Sequence, residues 1–236
     1  MNTSSTIHYL LERFNLWNEP IRPPPYSAFI EIPGYRRELL GTIFKELGFT
    51  VGAEIGVYRG NFAENILKDN PKIHYYCIDP WNDYSDFVEP HIAKGQEGHD
   101  INFEITKKLL SPYNVTYIRK FSMDAIKDFE DNSLDFVYID GHHGLSYVIN
   151  DLEWWSRKVK LGGLICGHDY HELETWAWDR CSDYRVVEAL ECFIKCYDIK
   201  PWFVIARRRE ERHRSFIIVK DKWGKFKESY SKGTPR

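Results

Sequence analysis

Five short runs of almost unbroken apolar residues recur along the chain, at 51–55, 73–79, 115–119, 134–140 and 164–167, with longer amphipathic stretches between them. A strand with one wet face alternates polar and apolar residues, whereas a strand covered on both faces does not. The runs therefore predict the central strands of a mostly parallel sheet with helices on each side. Leu40, Ile43, Phe44 and Leu47 share one helical face, with Gly48 as a C-terminal stop. Leu145, Val148, Leu152, Trp155 and Val159 repeat at spacings of three and four, and Val186, Leu190, Phe193 and Ile194 mark a further helix. Asn61 followed by Glu64 predicts a capping box at the helix after the first strand. The pattern changes near the end of the chain. Two apolar segments, 202–206 and 215–219, are joined by a polar turn with no helix, so they should pair antiparallel as a hairpin.

A chain of 236 residues accommodates one large domain, placed at 34–236 and preceded by an arm at 1–33 that carries Pro20, Pro23, Pro24 and Pro25. The 43% apolar share excludes general disorder. The 32 Lys and Arg against 35 Asp and Glu provide no chain-wide field to hold a polyanion or an acidic membrane, so no nucleic-acid partner is expected. No apolar run approaches the ~20 residues that cross a bilayer, and a soluble, cytoplasmic protein without membrane contact is expected. Cys77 and Cys166 read as small buried hydrophobes. Arg207, Arg208, Arg209, Arg212 and Arg214, diluted by Glu210 and Glu211, read as a solvated hairpin tip, and His91, His99 and His171 as surface residues.

Chemistry concentrates where the apolar runs end. The first strand passes through Glu54, Gly56, Tyr58 and Gly60 into a helix starting near Asn61, a turn in which backbone N–H groups can approach a ligand. The next strand ends in Asp79, from which a carboxylate can accept ribose hydroxyl protons. A nicotinamide dinucleotide would also suit an acid there. However, Glu54 stands where its fingerprint needs glycine, and Gly56 to Gly60 is G-x-x-x-G, so no pyrophosphate cradle is spelled. Asp140, His143, His168 and Asp169 fall at the carboxyl ends of two later strands, where open sheets bind ligands.

Ala53-Glu54-Ile55-Gly56-Val57-Tyr58-Arg59-Gly60, Ile78-Asp79-Pro80-Trp81, Phe136-Val137-Tyr138-Ile139-Asp140-Gly141-His142-His143, Leu161-Gly162-Gly163 and Gly167-His168-Asp169-Tyr170 occur in order. Together they resemble the class I S-adenosylmethionine-dependent methyltransferases, within them the branch of macrocin O-methyltransferase and related antibiotic-sugar O-methyltransferases. The resemblance implies an α/β Rossmann-like fold, with a central seven-stranded mostly parallel sheet, an antiparallel terminal hairpin and helices on both faces. It places S-adenosylmethionine with its methionine part in the turn of Glu54, Gly56, Tyr58, Gly60 and Asn61, its ribose on Asp79, and its adenine near Trp81, Ser122 and Met123, with Asp140 bordering the site. It implies His143 as the base, with Asp140 beside it, and a divalent metal, Mg²⁺ or Mn²⁺, on Asp140, His168 and Asp169, where His168 replaces a carboxylate usual among relatives. The expected acceptor is a small molecule or glycan, a sugar hydroxyl above all. Tyr170, Trp176 and Trp178 are the candidate platform for its apolar face. Two other classes stay open: a nicotinamide-dependent oxidoreductase and a non-catalytic cofactor-binding module. Homo-oligomerisation is likewise left open.

Overall fold

In the computed structural model of the chain, the residues described are 3–17, 29–33, 39–84, 95–170, 184–206 and 214–223. Central strands β2 (Val51–Ile55), β3 (His74–Ile78), β4 (Val115–Ile118), β5 (Leu134–Ile139) and β6 (Val159–Tyr170) pair in parallel, in the order β6-β5-β2-β3-β4. Beyond β6 come β8 (Arg214–Val219), antiparallel to both its neighbours, and β7 (Phe203–Ile205). The expected hairpin is present. An eighth strand was not foreseen: β1 (Ile30–Ile32) comes from the proline-bearing arm and pairs parallel with β7, Ile30 opposite Phe203. Three residues are too few to show a period. The arm also carries α1 (Thr3–Arg13), docked by hydrogen bonds from Thr6 Oγ1 to the Gly162 carbonyl (2.7 Å) and from Thr3 Oγ1 to the Lys220 carbonyl (2.8 Å).

The remaining helices are α2 (Leu39–Glu46), α3 (Asn61–Asp69), α4 (Gly95–Leu110), α5 (Ser122–Ala125), α6 (Leu145–Lys158) and α7 (Val186–Tyr197). They divide the interior in two. Phe136 and Tyr138 of β5 pack with Phe44 and Phe62 on one face, while Val137 and Ile139 pack with Leu152, Trp155 and Leu190 on the other. Successive residues of one strand thus enter opposite cores, the physical reason for its unbroken apolar run. Cys77 and Cys166 are fully buried, and burial pushes both thiols up, away from reactivity.

Three local expectations fail. The capping box does not form: Gly60, in the left-handed region (φ 78°), caps α3 with no side-chain hydrogen bond, and Glu64 pairs with Lys68 at 3.1 Å. Arg214 is not at a solvated tip. It opens β8 inside the sheet, donating from Nε to the Ile205 carbonyl (3.0 Å) and pairing with Glu31 (2.5 Å). His99 is buried in α4, its Nε2 2.8 Å from Asp83. The other arginines of that turn, His91, His171, Trp176 and Trp178 lie outside the described residues. No helix among the described residues is long and apolar enough to cross a membrane.

Gly52 of β2 lies opposite Phe136 of β5 in the register, and a Cβ on it would come within 2.1 Å of the Phe136 ring. That ring cannot retreat, because it stacks on Phe44 with centroids 3.9 Å apart. Gly52→Ala is predicted to lower stability by about 1–3 kcal/mol through overpacking, as measured by urea unfolding.

Candidate active site

The carboxyl ends of β2, β3, β5 and β6 meet in one place because the strands before them are in register. Beyond Ile55 the chain turns at Gly56 (φ 88°), whose backbone lies against that of Asp140. A Cβ at Gly56 would sit 2.1 Å from the Asp140 carbonyl oxygen, so only glycine fits. The amide of Asp140 donates to the Ile55 carbonyl (2.8 Å) and that of Gly56 to the Ile78 carbonyl (2.9 Å), which ties the turn to both neighbouring strands.

Asp79 grips this turn. Its Oδ2 accepts the amides of Val57 and Tyr58, both at 2.9 Å, and its Oδ1 accepts the amide of Trp81 at 2.7 Å. Burial raises the carboxyl above its ordinary range, and the three amide bonds pull against that rise. An ionised carboxylate has about four acceptor positions, so the two-hydroxyl grip on a ribose expected for Asp79 competes with bonds already made. Trp81 is a core aromatic, packed on Phe103 with centroids 4.5 Å apart and donating from Nε1 to the Tyr58 carbonyl (2.8 Å). Tyr58 (φ 53°) and Trp81 (φ 40°) both hold left-handed backbone conformations within this knot. Glu54 is buried within β2 and accepts a hydrogen bond from the Tyr75 hydroxyl at 2.9 Å.

The structure brings Asp140, His143, His168 and Asp169 together. His143 Nε2 lies 2.7 Å from Asp169 Oδ2 and 3.6 Å from Asp140 Oδ1; His168 Nδ1 lies 3.2 Å from Asp169 Oδ1 and 3.9 Å from Asp140 Oδ1. Asp169 is buried and held at φ 59°, a conformation uncommon outside glycine. Ligand atoms of Asp140, His143 and Asp169 all lie within 4.8 Å of one another, a set that differs from the expected one by the exchange of His168 for His143. His142 takes no part in this set: its ring stacks on Tyr147 (3.8 Å between centroids) and its Nδ1 accepts the Gly144 amide.

Ser122 opens α5, donating to Asp151 and accepting from Trp155 Nε1 at 2.7 Å, while Met123 packs against the core beneath. Asp151 escaped the sequence reading, although it falls on the same helical stripe as Val148 and Trp155. Burial pushes its carboxyl up to about 7, against the lowering effect of the Ser122 bond. Tyr170 is no acceptor platform. It is fully buried between Phe29 and Trp202, with centroids 5.7 and 5.6 Å away, because the end of β6 is still paired with β8 and faces the core.

The family model described as a methyltransferase domain matches residues 53–170, half of the chain and the whole stretch from the glycine turn to the acidic cluster. This chain belongs to the methyltransferase-domain family. Among curated proteins, it is similar to the uncharacterized protein R132 of Acanthamoeba polyphaga mimivirus, 32% identical over 123 residues, which cover 50% of this chain and 51% of that protein. It is also similar to the uncharacterized protein y4gI of Sinorhizobium fredii, 22% identical over 161 residues, 66% of this chain but 17% of that protein. The chain thus spans about half the length of the first relative and a much smaller part of the second. Among solved structures, the O-methyltransferase TomG of Streptomyces achromogenes, involved in tomaymycin synthesis and in complex with S-adenosylmethionine, superposes with a TM-score of 0.56 at 11% identity over 94% of this chain and 91% of that one. An O-methyltransferase from Bacillus cereus in complex with S-adenosylhomocysteine gives 0.53 at 14% identity, over 92% and 91%. At such identities the shared property is the fold.

Asp79→Ala in this methyltransferase-domain protein is predicted to cost about 2–4 kcal/mol of stability without any ligand, because three backbone amides lose their carboxylate acceptor; chemical denaturation reads it. The Asp151 carboxyl binds its proton more tightly folded than unfolded, so its contribution is full below about pH 4 and is lost as pH rises through about 7. Asp151→Asn keeps an acceptor for Ser122 and should gain on the parent protein as pH increases from 4 to 8. Parallel unfolding midpoints across that range would show the opposite.

Proposed function

We propose that this protein transfers a methyl group from S-adenosylmethionine to a hydroxyl oxygen of a small polar acceptor, assisted by a divalent cation. One observation carries the reading: Asp140, His143 and Asp169 converge within 4.8 Å, directly against the Gly56 turn. The turn fits the cofactor, since it leads into α3, whose first turn has no side-chain cap and whose N-terminus favours a carboxylate such as that of a methionine moiety. The donor set fits a metal, since two carboxylates and an imidazole suit Mn²⁺ and, less well, Mg²⁺.

When bound, S-adenosylmethionine supplies an electrophilic methyl on a sulfonium sulfur, and the cation lowers the pKa of a hydroxyl beside it. The rest falls to the chain. Asp140, His143 and Asp169 would hold the ion, and His168, 3.2 Å from Asp169, would be the base for the acceptor's proton. Three protein ligands would leave such a cation open to oxygens of the acceptor. That favours an acceptor with two neighbouring hydroxyls, the sugar-like polyol of the antibiotic-sugar branch being the class we favour. Without an ion, the pair of His143 and Asp169 is a histidine–carboxylate dyad suited to the base role by itself.

His143→Ala is predicted to lower both Mn²⁺ affinity and turnover, whereas His168→Ala should cut turnover by about 10²–10⁴ with Mn²⁺ affinity retained. Binding of S-adenosylmethionine, followed by calorimetry, should survive both substitutions. Mass spectrometry of an acceptor screen, with and without chelator, reads the reaction. Full activity after exhaustive chelation would exclude the metal, and S-adenosylmethionine binding that yields no demethylated cofactor with any polyol would leave a binding module instead.

A further inference from the structure

His143 belongs to no helix or strand; it lies in the turn between β5 and α6. Two contacts from one distant segment reach it. The ring of Tyr184 stacks on its imidazole, centroids 4.4 Å apart and planes within 12°, and the amide of Arg185 donates to its carbonyl oxygen at 2.8 Å. Tyr184 and Arg185 immediately precede α7, which packs on α6, so both ends of this clamp are anchored in the same face of the protein. Arg185 is itself steadied by an ion pair with Glu188, at 3.0 Å, in the first turn of α7.

We infer that Tyr184 is a positioning residue, whose flat ring sets the plane of the His143 imidazole so that Nε2 faces Asp140 and Asp169. A stacked ring leaves a neighbouring imidazole only rotations within its own plane. The bond from Arg185 fixes the backbone from which the imidazole hangs, so ring plane and attachment point are both determined. Partners that orient a ligand in this way typically change metal affinity or activity by about 10–100-fold when removed. The inference rests on the metal reading above and adds to it a residue of the segment that precedes α7.

The test uses the full chain and Mn²⁺ alone as probe. Calorimetry without S-adenosylmethionine should show Mn²⁺ affinity about tenfold weaker for Tyr184→Leu and close to the parent value for Tyr184→Phe, which keeps the ring. Affinity for S-adenosylmethionine should not change in either. In the unsubstituted protein, NMR should find the carbon-bound imidazole protons of His143 shifted upfield by the Tyr184 ring current, a readout that needs no variant to fold. Absence of that shift overturns the inference, as does a Leu variant that binds Mn²⁺ like the parent, or a Phe variant as impaired as Leu, which would transfer the effect to the hydroxyl. Failure of the parent protein to bind Mn²⁺ would instead overturn the metal reading itself.

Discussion

The backbone of Gly56 touches the backbone of Asp140, and the arrangement of the site follows from that contact. Strands β2 and β5 run side by side, Ile55 opposite Ile139, and each ends in residues that carry chemistry. With any side chain at position 56 the turn would have to leave Asp140 by more than an ångström, since a Cβ would lie 2.1 Å from its carbonyl oxygen. The turn is therefore pressed against the acidic cluster from one side and held by the three amide bonds of Asp79 from the other. A cofactor lying in the turn and an acceptor lying on the cluster would be neighbours by construction, the condition for a transfer between them.

Carboxyl groups at this end of the sheet are stabilised in three different ways. Asp79 stays compatible with burial by taking three backbone amides. Asp151 has one hydroxyl partner, and burial raises it to about 7, so protonation does part of the work. Asp140 and Asp169 instead face imidazoles at 2.7 to 3.9 Å. Amides and hydroxyls are fixed, whereas imidazoles can change charge and can share a cation with the carboxylates they face. That difference separates a structural acid from a chemical one, and it is why the cluster, and not Asp79 or Asp151, carries the proposed reaction.

Much of the architecture was readable before any tertiary contact was known. The apolar runs at 51–55, 115–119 and 134–140 fall on β2, β4 and β5 to within a residue, because two-sided burial removes polar positions from a strand. Strand β6 was read as 164–167 but spans Val159–Tyr170, since Lys160, Gly162 and Gly163 interrupt its apolar run. At Gly163 the missing Cβ is what permits the close approach of the Asp135 carbonyl, at 2.4 Å from where that atom would be. Asp151 could have been found, as a lone acid on an apolar helical stripe. Strand β1 and the burial of Arg214 could not, because each depends on a partner, β7 and Glu31, brought close by the fold alone.

Periodicity and the order of motifs were enough to specify a doubly covered parallel sheet with a terminal hairpin and to mark Asp140, His143, His168 and Asp169 as residues of interest. These are local properties: strand burial, turn glycines and strand ends are written in adjacent residues. Which side chains face one another is a different kind of information. How many acceptor positions of Asp79 backbone amides take up, whether His143 or His168 lies in the ligand-sized set, whether Tyr170 points outward or into the core, and that Tyr184 stacks on His143, were decided only when strands distant in sequence came into register. Side-chain direction at a strand end depends on the neighbouring strand's contacts, which no single stretch of residues contains.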